Sequence, residues 1–435
     1  MEIPHLLTAG HRVDHSHRLM SIKPMRTYPI ICLYLLVATP LFLQAQDVTI
    51  AVKNDLERNR TDGAITIAAG TLLEHTGGTA DTPLRFTTDG KDVTFQALDD
   101  TRDGHTDRYV LLLDLAAGEQ RQVTVRPLRE GEAAPSFPKR TQAELSHKVG
   151  GRWQDREYLD GTFTNVDSLS VPPEHTDHSW YLRYEGPGWE SDLVGYRFYL
   201  DWRNATDVFG KKTTAMVLQD VGQDGFDSYH EASDWGMDVL KVGKALGVGS
   251  LATWHEGRAL RVEETDSVSA TIVANGPVES RIRTRYHGWK VGDRTTDVVS
   301  ELSILAGSRL TRHDVHLSEP LDNLATGIVK LEEGELIAGQ SGEWSYLATW
   351  GPQSLAGDLL GLAVIYHTAA EQEVTADEHS HVVVLRPDNQ RLTYYFLATW
   401  EQDTQPIRTR EAFVAYLEVQ LSRLNHPLTV TFPAR

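Results

Sequence analysis

Two stretches of this sequence hold most of the residue types that could do chemistry. In the first, Trp180–Asp192, a Gly-Pro-Gly turn brings Trp189 and Glu190 back beside Arg183 and Tyr184. Aromatic faces stack on sugar rings, and an arginine pairs through two hydrogen bonds with a carboxylate or sulfate group. The stretch therefore predicts recognition of an acidic sugar, although an aromatic corner of the core with a structural Arg–Glu pair would use the same residues.

The second stretch, Gly222–Gly243, mixes Tyr, His, Asp, Trp and Lys with several glycines, a composition that makes a poor strand or helix. A polar, glycine-rich loop of this length is uncommon in a compact β domain and is often functional. His230 is the strongest candidate for a general acid or base, because the ordinary pKa of an imidazole lies near neutrality. A solvated loop histidine is the alternative interpretation of the same residue.

A third pattern is a charge stripe, in which Arg281, Arg283, Arg285 and His287 alternate with other residues and so share one face of a strand. Like charges on one face repel each other, and an acidic protein does not need them for solubility. Binding of an anion across the sheet face explains the stripe. Acidic partners on the neighbouring strands would explain it equally well.

Several common chemistries have no support in the sequence. It contains no phosphate loop, dinucleotide fingerprint, Gly-x-Ser-x-Gly elbow or His-Glu-x-x-His zinc helix, so nicotinamide and ATP chemistry are unsupported. Asp99–Asp107 has the Asp-x-x-x-Asp-Gly spacing of a calcium loop, but Val110 stands where an EF-hand carries its bidentate Glu. A polar hairpin turn is therefore favoured over a calcium site, and no other cofactor is expected.

The composition narrows the class of protein further. The chain has 435 residues, a formal net charge of −19, one cysteine and 40% hydrophobic residues, which is enough for a packed core. The acidic balance argues against nucleic-acid binding, which depends on Lys and Arg neutralising phosphates. A single cysteine excludes a disulfide framework.

The start of the chain predicts export. Met25 and Arg26 precede an uncharged apolar run, Tyr28–Leu43, that is followed by the small residue Ala45, which is the layout of a secretory signal peptide. A membrane-spanning helix is disfavoured because the run is short and is interrupted by proline. We expect translation to start at Met25 and residues 1–45 to be absent from the mature protein. That protein would be periplasmic or secreted, and no membrane would hold it.

The remaining sequence is typical of β structure in two parts. Residues 46–128 carry short strand signals separated by turn residues, which predicts a small antiparallel sandwich. Residues 129–150 have loop composition and indicate a linker. Residues 151–435 hold longer alternating strands, such as Gly195–Arg203, and predict two large antiparallel sheets packed face to face.

One helix is predicted near the C-terminus. Thr409 can cap it, Glu411 lies in its first turn, and Phe413, Leu417 and Leu421 form one face. The helix would close over the large sandwich. The predicted fold class is therefore all-β, with a small N-terminal sandwich, a large two-sheet sandwich and a C-terminal helix.

Four stretches carry a family resemblance: Glu185–Asp201, Asp207–Lys212, Tyr229–Gly243 and Tyr395–Glu401. Together they resemble a family of secreted proteins from bacterial polysaccharide-utilisation loci that is similar to the ulvan oligosaccharide dehydratase, and the resemblance spans most of residues 48–424. It implies an all-β fold and a substrate that is a uronate-containing oligosaccharide, with or without sulfate groups. It also implies loss of water across C4–C5 of the non-reducing-end uronic acid, which gives a 4,5-unsaturated uronate.

The elimination that the resemblance implies has three requirements. The C5 hydrogen lies next to a carboxylate and becomes acidic only when a cation neutralises that carboxylate. A base must remove the proton while negative charge develops, and an acid must protonate the departing 4-hydroxyl. None of these steps requires a metal ion.

We assign Arg183 to the carboxylate clamp, with the arginine stripe as the alternative, and His230 to the base or acid. Tyr229 or Tyr184 would be its counterpart, because a nearby cation lowers the pKa of a tyrosine toward the working range. The residues predicted to bind substrate, by aromatic stacking or through charge, are Trp189, Glu190, Trp235, Lys212, Lys241, Arg283 and Arg285.

Three other classes of protein would use overlapping residues. A polysaccharide lyase differs only in the group that leaves from C4. A non-catalytic carbohydrate-binding protein would carry the aromatic and arginine patches without an acid–base pair. A glycoside hydrolase would need two carboxylates flanking the scissile bond, for which Glu190 and Asp234 are the candidates.

Overall fold

The computed structural model describes residues 47–78, 82–225 and 228–434. The predicted leader and signal peptide, residues 1–45, lie outside the described residues. Among the residues that are described, no helix is both long and apolar enough to cross a membrane. The fold is all-β, as predicted, with antiparallel sheets and a long helix near the C-terminus.

The first part of the described chain contains β1 (Val48–Lys53), β2 (Arg60–Ala68), α1 (Ala69–Thr76), β3 (Leu84–Thr88), β4 (Lys91–Asp92), β5 (Thr94–Leu98), β6 (Arg108–Leu115), β7 (Gln120–Pro127), β8 (Thr141–Glu144) and β9 (Ser146–Val149). The middle part contains β10 (Arg152–Gln154), β11 (Glu157–Leu159), β12 (Thr162–Asn165), β13 (Ser168–Ser170), β14 (Gly188–Ser191), β15 (Val194–Phe198), β16 (Thr206–Lys211), β17 (Gly236–Asp238), β18 (Ala252–His255), β19 (Arg258–Arg261), β20 (Ser267–Asn275), β21 (Glu279–Val291) and β22 (Arg294–Leu305). The last part contains β23 (Thr311–Leu317), β24 (Leu324–Val329), β25 (Glu335–Ser341), β26 (Trp344–Gly351), β27 (Leu360–His367), β28 (Glu371–Ala376), β29 (Ser380–Leu385), β30 (Arg391–Trp400), α2 (Arg410–Asn425) and β31 (Thr429–Thr431). Short 3-10 helices lie at Arg183–Glu185, Ser228–His230 and Thr368–Ala370.

Two sheets near the start of the chain, β31-β1-β7-β3-β4 and β2-β6-β5, pack around a core of their own. In β1, Val48, Ile50 and Val52 are buried and alternate with more exposed residues, as expected of a strand with one face on a core. Each such side chain contributes about 1.5–3 kcal/mol on full burial. The predicted small sandwich is confirmed, with an addition: β31 pairs with β1, where Ala51 lies opposite Thr431.

Part of the stretch predicted as a linker is β structure. Residues 129–140 contain no strand, but β8 and β9 follow directly, and β8 pairs with β14. The polar residues Gln142 and Glu144 of β8 are buried because they are hydrogen bonded. Gln142 Nε2 donates to Glu144 Oε1 at 2.9 Å.

The rest of the chain forms a nine-stranded sheet, β13-β20-β21-β22-β23-β30-β27-β26-β25, and two five-stranded sheets, β17-β16-β15-β14-β8 and β19-β18-β24-β29-β28. One core joins them, into which Tyr196 of β15 and Ile282 and Tyr286 of β21 point. Side chains alternate between the two faces of a strand. Arg197 of β15 and Arg285 of β21 therefore lie on the outer faces of two different sheets.

The predicted strand Gly195–Arg203 ends early. β15 stops at Phe198, because Asp201 Oδ1 accepts a hydrogen bond from the backbone N–H of Arg203 at 2.8 Å and turns the chain. Trp202, which was expected to share the apolar face, is 40% exposed as a result.

The predicted C-terminal helix is confirmed as α2. Thr409 Oγ1 accepts a hydrogen bond from the Ala412 N–H at 3.1 Å and caps the helix. Phe413, Leu417 and Leu421 are fully buried, and they pack on side chains of β25, β26 and β27. The helix thus covers one end of the outer face of the nine-stranded sheet.

Candidate functional site

Arg183 is a structural residue rather than an accessible clamp. Its side chain is fully buried. Nη1 donates to the backbone oxygens of Leu218 and Gln219 at 3.1 and 2.8 Å, and Nη2 donates to Glu144 Oε2 at 2.9 Å. These contacts hold the start of the 217–235 loop against β8. The structure therefore does not place Arg183 where a substrate carboxylate could reach it.

Trp189 and Glu190 are also buried in this region. The indole of Trp189 stacks on Tyr196, and its Nε1 donates to Thr311 Oγ1 at 2.8 Å. Glu190 lies 2.5 Å from Lys211 Nζ and accepts hydrogen bonds from two backbone N–H groups of the 217–235 loop. The stretch is thus an aromatic corner of the core with buried ion pairs, and neither residue is open to a sugar.

Neither predicted tyrosine is set up as an acid or base. Tyr184 is buried, and burial raises its pKa. Tyr229 is also buried and its hydroxyl accepts a hydrogen bond from Arg197 Nη1 at 2.7 Å. Burial nevertheless outweighs the effect of Arg197 and raises the pKa of Tyr229. The expectation that a neighbouring cation would lower the pKa of these tyrosines is wrong.

His230 has the geometry of a proton-transfer residue. It ends the 3-10 helix Ser228–His230 and its side chain is 41% exposed. Its Nε2 lies 3.3 Å from Oδ2 of Asp238, a buried carboxylate at the end of β17. Arg197 Nη2 donates to the same Oδ2 at 2.5 Å. A carboxylate so placed orients the imidazole and stabilises its protonated form.

Asp238 belongs to a buried ion network between β15, β16, β17 and the segment before β14. Arg197 Nη2 lies 2.7 Å from Asp207 Oδ2, and Arg203 Nη2 lies 2.8 Å from Glu185 Oε1. The carboxylates that contact these two arginines are Asp177, Glu185, Asp201, Asp207 and Asp238. Within these contacts carboxylates outnumber guanidinium groups.

The network shifts the pKa values of two of its carboxyl groups in opposite directions. Burial and the neighbouring Asp238 raise the pKa of Asp207 to about 6, against the opposing effect of Arg197. Burial also opposes ionisation of Glu185, but Arg197 and Arg203 outweigh it and lower the pKa of that carboxyl to about 2. Carboxyl groups tuned apart in this way are common at proton-transfer sites.

The substitution Glu185→Gln is expected to make the free energy of unfolding less dependent on pH in the acid range. The pKa of Glu185 is about 2 in the folded protein and about 4.3 in an unfolded chain. Its ionised form therefore stabilises the native state above about pH 4.3, and this contribution is lost as the pH falls toward 2. Urea unfolding from about pH 5 to about pH 2 should show a loss that is about 3 kcal/mol larger in the native protein than in the variant.

The matched control is Asp160→Asn, which removes an exposed carboxylate from the surface pair with Arg152. This variant should follow the native curve at every pH. Parallel curves for Glu185→Gln and the native protein would contradict the ion network.

A second histidine–carboxylate pair borders the network. His178 Nδ1 lies 2.6 Å from Asp177 Oδ1, and the histidine side chain is 55% exposed. Asp177, His178 and Glu185 offer ligand atoms within 4.8 Å of one another, as a metal site would. Arg203 contacts both carboxylates, at 3.0 and 2.8 Å. A guanidinium thus already pairs with two of the three candidate ligand groups.

The backbone that carries this second pair is strained. His178, Trp180, Tyr184 and Glu185 have φ angles of 57°, 62°, 39° and 72°, a region that costs a non-glycine residue of the order of 1–3 kcal/mol. Strain of this kind persists only where surrounding contacts hold it, and it clusters at binding and catalytic sites. The ion pairs of Glu185 and Asp177 supply such contacts here.

A cavity of about 430 Å³ opens beside this segment. Its lining residues are Lys148, Gly161, Thr162, Phe163, Trp180, Gln223, Asp224 and Gly225; we call it the Trp180 cavity. Lys148 Nζ lies 5.6 Å from the centre of the Phe163 ring. Asp224 lines the cavity, and its Oδ1 accepts a hydrogen bond from Ser228 Oγ at 2.5 Å. Ser228 begins the 3-10 helix that His230 ends, so the loop of His230 also borders the cavity. Aromatic walls with an ammonium group suit a sugar acid.

Sequence reasoning missed Lys148 and Phe163. They lie on β9 and β12, which pair with each other, and β9 falls in the stretch predicted as a linker. Both strands are four residues long, which is too short for an alternating pattern to indicate a strand. Trp180 was noted only as part of the first aromatic stretch.

The remaining predicted binding residues are scattered. Trp235 is half-buried and packs edge-on against Phe209, 5.9 Å between ring centres, beside the His230 loop. Lys212 lies over the Trp400 ring at 5.5 Å, and Lys241 is exposed. Of these three residues, the structure places Trp235 next to the candidate site.

The arginine stripe lies on β21 of the nine-stranded sheet, whereas His230 lies in a 3-10 helix beside β17 of a five-stranded sheet. Arg283 Nε donates to Glu301 Oε1 at 2.5 Å, and Arg281 also contacts Glu301 and Glu279. His287 pairs with Asp297, so acidic partners account for three of the four residues of the stripe and leave Arg285. Because Arg283 and Arg285 face away from the core, the structure does not bring them to the His230 site.

The loop with calcium-like spacing is a hydrogen-bonded turn. The Asp99 carboxylate accepts hydrogen bonds from the backbone N–H groups of Arg102, Asp103 and Gly104, at 2.5, 3.2 and 2.7 Å. The polar hairpin turn that the sequence favoured is what the structure has.

The fold and the site together define an all-β sandwich protein in which a histidine–aspartate pair rests on a buried ion network beside an aromatic cavity. The chain belongs to the family described as Domain of unknown function (DUF4861), which matches residues 52–430. No curated protein matches the sequence.

Two solved structures from Enterococcus faecalis show a distant likeness. A protein in the glycosyl hydrolase family 38 is 9% identical with a TM-score of 0.45, and the match covers 91% of this chain and 48% of that one. An alpha-mannosidase from strain V583 is 9% identical with a TM-score of 0.42, with coverages of 89% and 46%. The chain thus spans about half the length of these proteins, and a likeness this distant has no bearing on activity.

Proposed function

We propose that this protein is an oligosaccharide dehydratase that removes water across C4–C5 of a non-reducing-end uronic acid, as in ulvan oligosaccharides. The observation that carries the proposal is the His230–Asp238 pair, in which a partly exposed imidazole lies 3.3 Å from a buried, arginine-held carboxylate. General acid–base catalysis by a residue so placed contributes about 10²–10⁴-fold to a rate.

In the proposed reaction, His230 takes the C5 proton and the electrons of the C5–H bond form the C4=C5 double bond. The C4–O bond breaks, and the leaving hydroxyl receives a proton from the imidazolium and departs as water. Asp238 holds Nε2, so we assign proton transfer to Nδ1. One histidine can perform both transfers when the two groups leave from the same face of the ring, which removes the need for a tyrosine partner.

Lys148 is the cation best placed to neutralise the uronate carboxylate. It lines the Trp180 cavity with two aromatic side chains, whereas Arg183, Arg197 and Arg203 are occupied by buried oxygens. The cavity volume of about 430 Å³ lies toward the lower end of the usual range for small-molecule sites, about 300–1,000 Å³. This size favours the end of an oligosaccharide over the interior of a polymer, and hence a dehydratase over an endo-acting lyase.

The other classes have less support. A glycoside hydrolase needs two available carboxylates, but Glu190 is buried against Lys211 and Asp234 is exposed. A purely sugar-binding protein would have no use for the His230–Asp238 pair. We also propose that the protein acts in the periplasm or outside the cell, on the basis of the predicted signal peptide.

The test is incubation of the purified protein with uronate-terminated oligosaccharides, followed by ultraviolet absorbance and mass spectrometry. New absorbance with loss of one water at constant chain length is the expected result. New absorbance with shorter chains would indicate a lyase, and shorter chains without absorbance a hydrolase. Binding without any change in mass would indicate a carbohydrate-binding protein; each of these three results would overturn the proposal.

A further inference from the structure

We propose that the outer face of the nine-stranded sheet holds a second binding site, formed by Arg285, His316 and Arg391, for the carboxylate or sulfate groups of an acidic polysaccharide chain. The anion site follows from the geometry alone, and the choice of a polysaccharide as its ligand rests on the proposed function.

Strand register brings the three residues together. Arg285 on β21 lies opposite Val299 on β22, Val299 lies opposite His316 on β23, and His316 lies opposite Arg391 on β30. Residues paired in this way point to the same face of a sheet, and neighbouring strands are about 4.8 Å apart. The row therefore sets three basic side chains along one line across four adjacent strands.

The basic groups of this row lack the partners that their neighbours have. In the next rows, Arg283 pairs with Glu301 and Arg312 with Asp314. The guanidinium groups of Arg285 and Arg391 make no hydrogen bond or ion pair with any residue in the described part of the chain. His316 Nδ1 is buried and has no hydrogen-bond partner among those residues. Buried polar atoms are usually satisfied, so the row is incomplete without a ligand.

A groove runs over the row. One cavity of about 680 Å³ is lined by Arg285, His316 and Arg391 among other residues. A second cavity of about 520 Å³ has a mixed lining of charged, hydroxyl and apolar side chains that includes Tyr395. The two cavities share the lining residues Arg312 and Asp314 and are therefore neighbours on this face of the sheet. Two neighbouring cavities of this size suit a chain of sugars better than a single free ion.

The charge of the groove is opposite in sign to that of the whole protein. Its lining contains six arginines, Arg108, Arg281, Arg283, Arg285, Arg312 and Arg391, against four carboxylates, Asp100, Glu279, Glu301 and Asp314, whereas the chain carries a net charge of −19. Guanidinium groups bind carboxylate and sulfate through paired, charge-assisted hydrogen bonds. A locally basic groove on an acidic protein is therefore suited to an anionic polymer, with repulsion from distant charges screened beyond about 8 Å.

The experiment compares the native protein with Arg285→Ala/Arg391→Ala by isothermal titration calorimetry against polygalacturonate, neutral dextran and inorganic sulfate. We expect the native protein to bind polygalacturonate and not dextran, and the double variant to bind it at least about tenfold more weakly. Arg294→Ala is the matched control, because this exposed arginine of the same sheet pairs with Asp322 away from the groove. The control should bind like the native protein.

Equal binding by the native protein and the double variant would overturn the site. Sulfate binding that depends on the two arginines, without polygalacturonate binding, would overturn the polysaccharide as its ligand. Turnover of short uronate-terminated oligosaccharides is measured in parallel and should be the same in both proteins. If neither the native protein nor the double variant shows turnover but their binding of polygalacturonate differs, the proposed function is wrong and the binding site in the groove is supported.

Discussion

Replacing His230 with alanine is expected to lower the proposed turnover of uronate-terminated oligosaccharides by about 10²–10⁴-fold, the usual contribution of a general acid–base residue. The loss should be in kcat rather than in KM, because the proposed role of the imidazole is to move protons and not to hold the sugar. The melting temperature should change little, since the side chain is 41% exposed and removing it leaves the Arg197–Asp238 contact in place.

The matched control is His287→Ala. His287 is also an exposed histidine paired with an aspartate, 3.2 Å from Asp297, but it lies on the nine-stranded sheet. Its removal should leave turnover unchanged. Full activity of His230→Ala, or an equal loss in the two variants, would remove His230 from the mechanism.

The second large effect is on stability. Arg197→Met is expected to destabilise the folded protein by about 3–5 kcal/mol, the usual result of removing one partner of a buried ion pair. Arg197 is 2% exposed and is the guanidinium that Asp207 and Asp238 share. Methionine retains much of the volume of the arginine side chain. The loss of stability therefore measures the effect of two uncompensated carboxylates rather than that of a cavity.

Arg152→Met gives the comparison for this variant. Arg152 and Asp160 form an ion pair in which both side chains are exposed, and such pairs contribute about 0–1 kcal/mol. Urea unfolding at neutral pH measures both variants. A loss in Arg197→Met no larger than that in Arg152→Met would show that the buried network does not exist as described.

The sequence predicted the class of fold well, because alternating apolar residues directly indicate strands that face a core. It failed where polar residues are buried. Arg197 alternates with Tyr196 and so was expected on a solvent face, yet the 217–235 loop covers that face of β15. The stretch 129–150 was predicted to be a linker from its loop composition, yet its residues Gln142 and Glu144 are buried in β8. A local pattern shows which face of a strand is apolar, but not what covers the other face.

The two stretches that the sequence singled out both contribute to the candidate site, but several of their residues are buried in structural contacts. Arg183, Trp189 and Glu190 have the residue types of a sugar site, and only tertiary contacts show that they hold the core and a loop. The role of His230 remains a prediction. Its orienting partner, Asp238, lies in the same stretch of sequence. Lys148 lies more than 80 residues away, and only the cavity that it lines together with Asp224 relates it to the loop of His230.

The pairing of β1 with β31 has a consequence for biosynthesis. Until the ribosome has made residues 429–431, β1 lacks a neighbour on one side, and the core beneath it lacks Leu428 and Val430. An open strand edge invites wrong pairing, so the first sandwich to be translated is the last to be completed. Such late closure is expected to delay compaction of the nascent polypeptide.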